Sequence, residues 1–345
     1  MKKLCAIAAF AAALSLAAAC DKNSETTFTP VQSAGEQAKI ALSISGDAAT
    51  KATVTGSEAE NAINTVDIFV FFKGGEYDGR LDAYGHYTSG PYELNATTGD
   101  REIYVIVNSE HGEAALGAIP DKSTLLSLAA TLPSQKNASG AAGNFTMAGA
   151  VSRSAATALI AGTNNIEVKV SRLVARVRVM SITAAFESPA IAAQPFSIDA
   201  IYLSNAVTKD VYGAGYEPVV ADFANKLGEK DAAFDPWLYR NAAACELYTM
   251  PNPVDTDSED KPFTLRNTKL VVKTTLNGKA SYYVIPLGEV KGNTSYDISE
   301  LVITRPGSSD PDKKTELSSC FFAIEVNPWT VKALETEEGT GKYVI

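Results

Sequence analysis

The chain has 345 residues, 46% apolar and 20% charged, a globular composition that excludes wholesale disorder and a polytopic membrane protein. At roughly 100–200 residues per domain, that length predicts two domains. Forty acidic residues against thirty basic ones give a net charge of −10, which disfavours attraction to phosphate backbones and sets nucleic acid aside as a partner. Two His and four Cys leave little from which to build a zinc site or a Cys–His nucleophile.

At the N-terminus, Lys2 and Lys3 precede fourteen residues, Ala6 to Ala19, of which only Ser15 is polar. These are the charged and apolar regions of a signal peptide, too short to span a bilayer well. The run Leu16-Ala17-Ala18-Ala19-Cys20 resembles a bacterial lipobox, which implies removal of residues 1–19 and lipidation of Cys20. The exported chain then carries 28 basic and 40 acidic residues, a net charge of −12. With Cys5 lost and Cys20 lipidated, Cys245 and Cys320 remain, and two readings stay open: a disulfide, or two separate buried small side chains.

Residues 21–36 are polar and without period, as a solvated tether reads. From Ala38 to Ser45 the chain alternates strictly, with Ile40, Leu42 and Ile44 on one side, the pattern of a half-buried strand. A loop over 46–56 contains Lys51. Val66 to Phe72 is too apolar for an edge and reads as a central strand. Further strands are predicted at Ile103–Val107, Ile166–Val170, Ala175–Met180, Ile198–Leu203, Leu270–Thr275, Tyr282–Pro286, Tyr296–Thr304 and Cys320–Val326. Asn277-Gly278 between two of them is a primed-turn hairpin signal. Ser123 to Leu132, with Leu125, Leu126 and Leu128 and no β-branched run, predicts a short helix. The pattern is all-β and predominantly antiparallel, two β-sandwiches in tandem with a seam at Ser171-Arg172.

Catalysis has little raw material. His86 and His111 stand in turn-like contexts and read as exposed loop histidines, and no phosphate loop, nucleophile elbow or metalloprotease motif is present. Asp255, Asp257, Glu259 and Asp260 crowd one loop without EF-hand spacing and read as a solvated turn. The sequence therefore predicts no enzyme, no metal and no cofactor.

The two ends carry more. The strand Ile40–Ile44 is followed by a loop where a trypsin-like protease would cut after Lys51. The tail from Trp329 to Ile345 is β-prone, with Val331, Leu334, Tyr343 and Val344 among its apolar residues. A sandwich that loses an edge strand is a template for strand addition from another chain. A tail packed on its own domain is the competing reading.

Several stretches in order along the whole chain resemble the fimbrillins of Bacteroidales, the major subunits of lipoprotein-derived type V pili. They are the lipobox at Cys20; Ile40 through Ala52 followed by Val66-Asp-Ile-Phe-Val70; Phe145-Thr-Met-Ala-Gly149; Asn165 through Val177; Tyr296-Asp-Ile298 with Leu301 through Gly307; and Val326-Asn-Pro-Trp329. The resemblance implies two transthyretin-like antiparallel β-sandwich domains, at 52–171 and 172–345, after a lipidated propeptide at 20–51. It implies outer-membrane lipid as the first partner of Cys20 and a surface trypsin-like protease that cuts between Lys51 and Ala52. Ile40, Leu42 and Ile44 then occupy a groove until the cut. A donor tail containing Trp329, Val331, Leu334, Tyr343, Val344 and Ile345 fills that groove in a neighbouring subunit, so the implied partners are further copies and other fimbrial subunits in a cell-surface fimbrium. Lys51 stands where an Arg-specific protease expects Arg. The mature subunit would have 294 residues and a net charge of −11. Two alternatives are a fimbrial tip or anchor subunit and a surface glycan-binding lipoprotein.

Overall fold

Alternation over 37–46 and unbroken apolar character over 66–72 both produce strands, for different reasons that the computed structural model makes plain. It describes residues 35–46, 54–55, 57–135, 143–224, 245–254, 267–316 and 319–330. The first half contains β1 (Gln37–Gly46), β2 (Val54–Thr55), α1 (Glu58–Asn61), β3 (Val66–Phe72), β4 (Leu81–Tyr87), β5 (Tyr92–Thr97) and β6 (Arg101–Val107). There follow α2 (Glu113–Gly117), α3 (Lys122–Ser127), β7 (Ala129–Thr131), β8 (Met147–Arg153) and β9 (Gly162–Arg172). The second half contains β10 (Ala175–Val179), β11 (Ile182–Ala184), α4 (Pro189–Ala192), β12 (Phe196–Ser204), β13 (Ala206–Val207), β14 (Lys209–Val211), β15 (Phe223–Ala224) and β16 (Cys245–Thr249). It closes with β17 (Lys269–Leu276), β18 (Lys279–Pro286), β19 (Thr294–Ile298), β20 (Leu301–Ile303), β21 (Cys320–Phe322) and β22 (Glu325–Thr330).

Seven strands form one sheet in the order β4-β3-β6-β8-β9-β1-β5. β8 and β9 pair only at Met147–Arg172 and Ala148–Ser171. That short join is a corner at which the sheet folds into two layers, β4-β3-β6-β8 over β5-β1-β9, with β4 and β5 meeting at the opposite side. Gly149 permits the corner, because a Cβ there would lie 2.0 Å from the Lys169 carbonyl oxygen. Between the layers pack Ile40, Leu42, Ile44, Ile68, Val70, Ile103, Val105 and Val168.

The second half is organised around β16-β10-β19-β22-β2, β11-β20-β21 and β12-β17-β18. Its cluster is drawn from residues 175–320, including Val177, Ile201, Val272, Tyr283 and Ile298. A third cluster takes Phe69, Phe71, Leu125 and Phe145 from the first half and Val207, Tyr248, Met250 and Trp329 from the second. This explains β3, all seven of whose residues are buried. Ile68 and Val70 face the sandwich interior, while Phe69 and Phe71 face the shared cluster, so no polar face remains to give alternation.

The all-β architecture agrees with the sequence expectation, with specific differences. Among the described residues four strand pairs are parallel: β1 with β9, β10 with β19, β11 with β20, and β2 with β22. The predicted helix over 123–132 is confined to α3, capped by the Asp121 side chain on the Thr124 amide at 2.8 Å. The chain then turns into β7, which pairs with β14 of the second half. Asn277 and Gly278 take φ of 49° and 74°, the left-handed pair that a primed turn requires between β17 and β18.

Candidate assembly site

The alternation Ala38, Ile40, Leu42, Ile44 puts four apolar side chains on one face of β1, and all four are buried. At roughly 1.5–3 kcal/mol per large apolar side chain, the three larger residues hold the strand in place with about 5–9 kcal/mol of burial. Backbone pairing adds direction. β1 runs antiparallel to β5 from Gln37–Thr97 to Leu42–Tyr92, and parallel to β9 from Ala38–Gly162 to Gly46–Val170. The expectation of an edge strand is therefore corrected: β1 lies inside the sheet, and its departure would leave a slot with an unsatisfied backbone edge on each side. The slot is partly open already, since Leu42, Ile44, Pro91, Tyr92 and Ile166 line a surface groove of about 450 Å³ beside it.

Cys20, Lys51, Ala52, Val331, Leu334, Tyr343, Val344 and Ile345 lie outside the described residues, as do Asp255, Asp257, Glu259 and Asp260. Trp329 is described, and it is fully buried within its own chain. Its ring lies against Phe145 and Tyr248, and the Arg172 and Arg176 guanidinium carbons sit 4.4 and 4.7 Å from its centroid.

Around Trp329 is a buried polar cluster that sequence reasoning missed. Ser57 caps α1 and Glu60 reaches back to the Ser57 amide at 2.5 Å. The same Glu60 carboxylate accepts from Arg176 Nη1 at 3.1 Å through both oxygens and from the Tyr248 hydroxyl at 2.8 Å. Arg172, the last residue of β9, donates to the Glu60 carbonyl at 3.1 Å, to the Trp329 carbonyl at 2.9 Å and to Asn61 Oδ1. Burial pushes the Glu60 carboxyl upward, but the Arg176 guanidinium and the Ser57 and Tyr248 donors outweigh it and hold the group below its ordinary value. Burial draws Arg172 down to about 10. One local signal was legible, the Ser57-Glu-Ala-Glu60 capping box; that its Glu meets Arg176 and Tyr248 is a fact of tertiary structure.

Neither histidine is fully exposed, although His111 does lie in the loop between β6 and α2. His86 is on β4, half-buried, with Nδ1 2.7 Å from the buried Asp67 carboxylate, which also accepts from Tyr84 at 2.8 Å. His111 Nε2 lies 2.8 Å from the Ala129 carbonyl, and its ring meets Tyr212 edge-on. Each ties neighbouring elements together. No disulfide joins Cys245 to Cys320; both are buried in the second-half cluster. Burial pushes the Cys320 thiol up to about 12.

Residues 38–175 match the family model of the major fimbrial subunit protein, FimA. No curated protein matches the sequence. Among solved structures, a protein of Bacteroides eggerthii named for cell adhesion has 17% identity and a TM-score of 0.61, over 86% of this chain and 97% of that one. The fimbrilin FimA of Porphyromonas gingivalis has 15% identity and a TM-score of 0.61, over 85% of this chain and 98% of that one. The C-terminally truncated tip fimbrial protein Mfa3 of the same organism has 15% identity and a TM-score of 0.55, over 85% of this chain and all of the other. Residues 38–175 thus match the model of the major fimbrial subunit family, and the described chain as a whole shares the fold of the fimbrilin FimA.

Proposed function

We propose that the protein is a structural subunit of a cell-surface fimbria, exported as an outer-membrane lipoprotein through Cys20 and polymerised by strand exchange after cleavage between Lys51 and Ala52. The observation that carries this reading is the seating of β1. A strand on the N-terminal side of the cut provides four buried side chains and two backbone ladders to a sandwich whose remaining strands all follow the cut. Its removal by a trypsin-like protease leaves an apolar slot that a C-terminal segment of the next subunit fills. The subunit has two domains that meet at Ser171-Arg172, between clusters drawn from 38–170 and 175–320. Its partners are further copies and other fimbrial proteins, with the shaft as its place.

Trypsin treatment of the full chain carrying Cys20→Ser tests this. The expected result is loss of the residues up to Lys51 and an SDS-resistant ladder of subunits. A Lys51→Ala variant that ladders equally well refutes cleavage-dependent assembly. A tip role is the second reading, favoured by the likeness of fold to the tip protein Mfa3. It is distinguished by a subunit that accepts a strand but does not elongate.

A further inference from the structure

The buried cluster around Trp329 joins three parts of the chain that the assembly reading treats separately: the segment just after the cut, the seam between the halves, and the root of the C-terminal tail. β2 runs parallel to β22, with Val54 opposite Trp329 and Thr55 opposite Thr330. α1 follows at once and delivers Glu60 to Arg176. All of this lies C-terminal to Lys51, so it remains with the subunit whether or not residues 1–51 are removed. From the other side, β22 is paired to β19 from Thr294–Pro328 to Asp297–Glu325. Both backbone groups of Trp329 are bonded within its own chain, the amide to the Asn293 carbonyl at 2.9 Å and the carbonyl to Arg172 at 2.9 Å.

Extracting Trp329 would unstack two guanidinium groups from its ring, withdraw an acceptor from Arg172, and empty a site filled by the largest fully buried side chain among the described residues. Emptying a buried Trp site alone costs about 3–5 kcal/mol. Nothing in the β1 slot would return it, because that slot is lined for aliphatic side chains of the size of Ile and Leu.

We infer that the Glu60–Arg172–Arg176–Trp329 cluster is an anchor that keeps the chain through Trp329 in its own subunit, so that exchange begins beyond Thr330. This rests on the strand-exchange reading and sharpens it, since Trp329 becomes the root of the donor and residues 331–345 the exchanged part. The length suffices: β1 occupies ten residues of the slot, and residues 331–345 provide fifteen.

A disulfide across β19 and β22 tests the anchor. Thr294 and Pro328 are directly opposed and half-buried, and opposed antiparallel positions have Cβ atoms about 4.5–5.5 Å apart, within a small adjustment of disulfide geometry. The full chain with Cys20→Ser, Thr294→Cys and Pro328→Cys is oxidised, cut after Lys51, and compared with the same chain lacking the two new cysteines. The expected result is laddering within two-fold of the unlocked chain, with no change on reduction. A ladder that is blocked when oxidised and restored by reductant overturns the anchor while leaving strand exchange intact. An unlocked chain that is verifiably cut and does not ladder refutes the strand-exchange reading itself, and the anchor's purpose with it. Hydrogen exchange on the unlocked chain provides an independent check. The amides of β19 should be equally protected in cut monomer and in polymer, and loss of that protection on polymerisation overturns the anchor.

Discussion

Replacing Glu60 by Gln tests how much of the fold's coherence passes through one buried carboxylate. Gln keeps the shape and one carbonyl oxygen, so what is lost is the charge. Arg176, 1% exposed, loses its anionic partner at 3.1 Å, and Arg172 loses a favourable negative charge. Tyr248 and the Ser57 amide keep at most a neutral acceptor. Breaking a buried pair from one side costs about 3–5 kcal/mol, because the remaining charge stays desolvated without compensation. Retention of an amide oxygen puts Gln at the lower end, about 3 kcal/mol. The assay is urea unfolding followed by far-UV circular dichroism, read as a fall in midpoint at unchanged slope. The cost also has a pH signature. Glu60 is held below its ordinary value of 4.5 in the fold, so its stabilisation is present above that value and is lost as pH falls through the lower folded value. The difference between Glu60→Gln and the natural chain should therefore be full at pH 7 and shrink below about pH 4. A midpoint change worth less than about 1 kcal/mol at pH 7, the scale of an exposed pair, would refute the view of the cluster as a buried anchor.

Burial raises the Asp210 carboxyl to about 6, so its ionisation opposes folding as pH rises from the unfolded carboxylate value through that point. Asp210→Asn should leave stability near pH 4 almost unchanged and increase it at pH 7, measured by thermal unfolding at the two pH values. Gly149→Ala places a methyl group 2.0 Å from the Lys169 carbonyl oxygen at the β8–β9 corner, where backbone on both sides cannot yield cheaply. It should cost at least about 1–3 kcal/mol by urea unfolding, the range of core overpacking.

What the sequence made legible follows from how local the cause is. β1 was legible because its alternation at 38, 40, 42 and 44 is written in eight consecutive residues, and the Asn277-Gly278 turn because two adjacent residues meet its dihedral demand. The neighbours of β1 were not legible. Its partner β9 begins more than a hundred residues later and runs parallel to it, so nothing within either strand marks β1 as interior rather than edge. β3 is the intermediate case: its unbroken apolar run revealed burial on both faces, but only the fold shows that one face belongs to the sandwich and the other to the surface shared by both halves. The cluster at Glu60 lies furthest from local reading. Its members stand at 60, 172, 176, 248 and 329, each ordinary in its own window: a helix-capping Glu, two Arg on β-strands, a Tyr and a Trp. Fully buried charged residues are rare unless paired, so no composition count would have proposed Arg172 and Arg176 for the interior. Their burial makes physical sense only together. Arg176 binds the Glu60 carboxylate, Arg172 binds the Glu60 and Trp329 carbonyls, and both guanidinium groups lie against the Trp329 ring, so that each partner comes from a different part of the chain. A β-sandwich needs none of this for its core, which aliphatic side chains fill without help. Placing so specific an arrangement where α1, the junction of β9 with β10 and the end of β22 meet gives those three segments one register. A purely apolar contact, being non-directional, would let them slide.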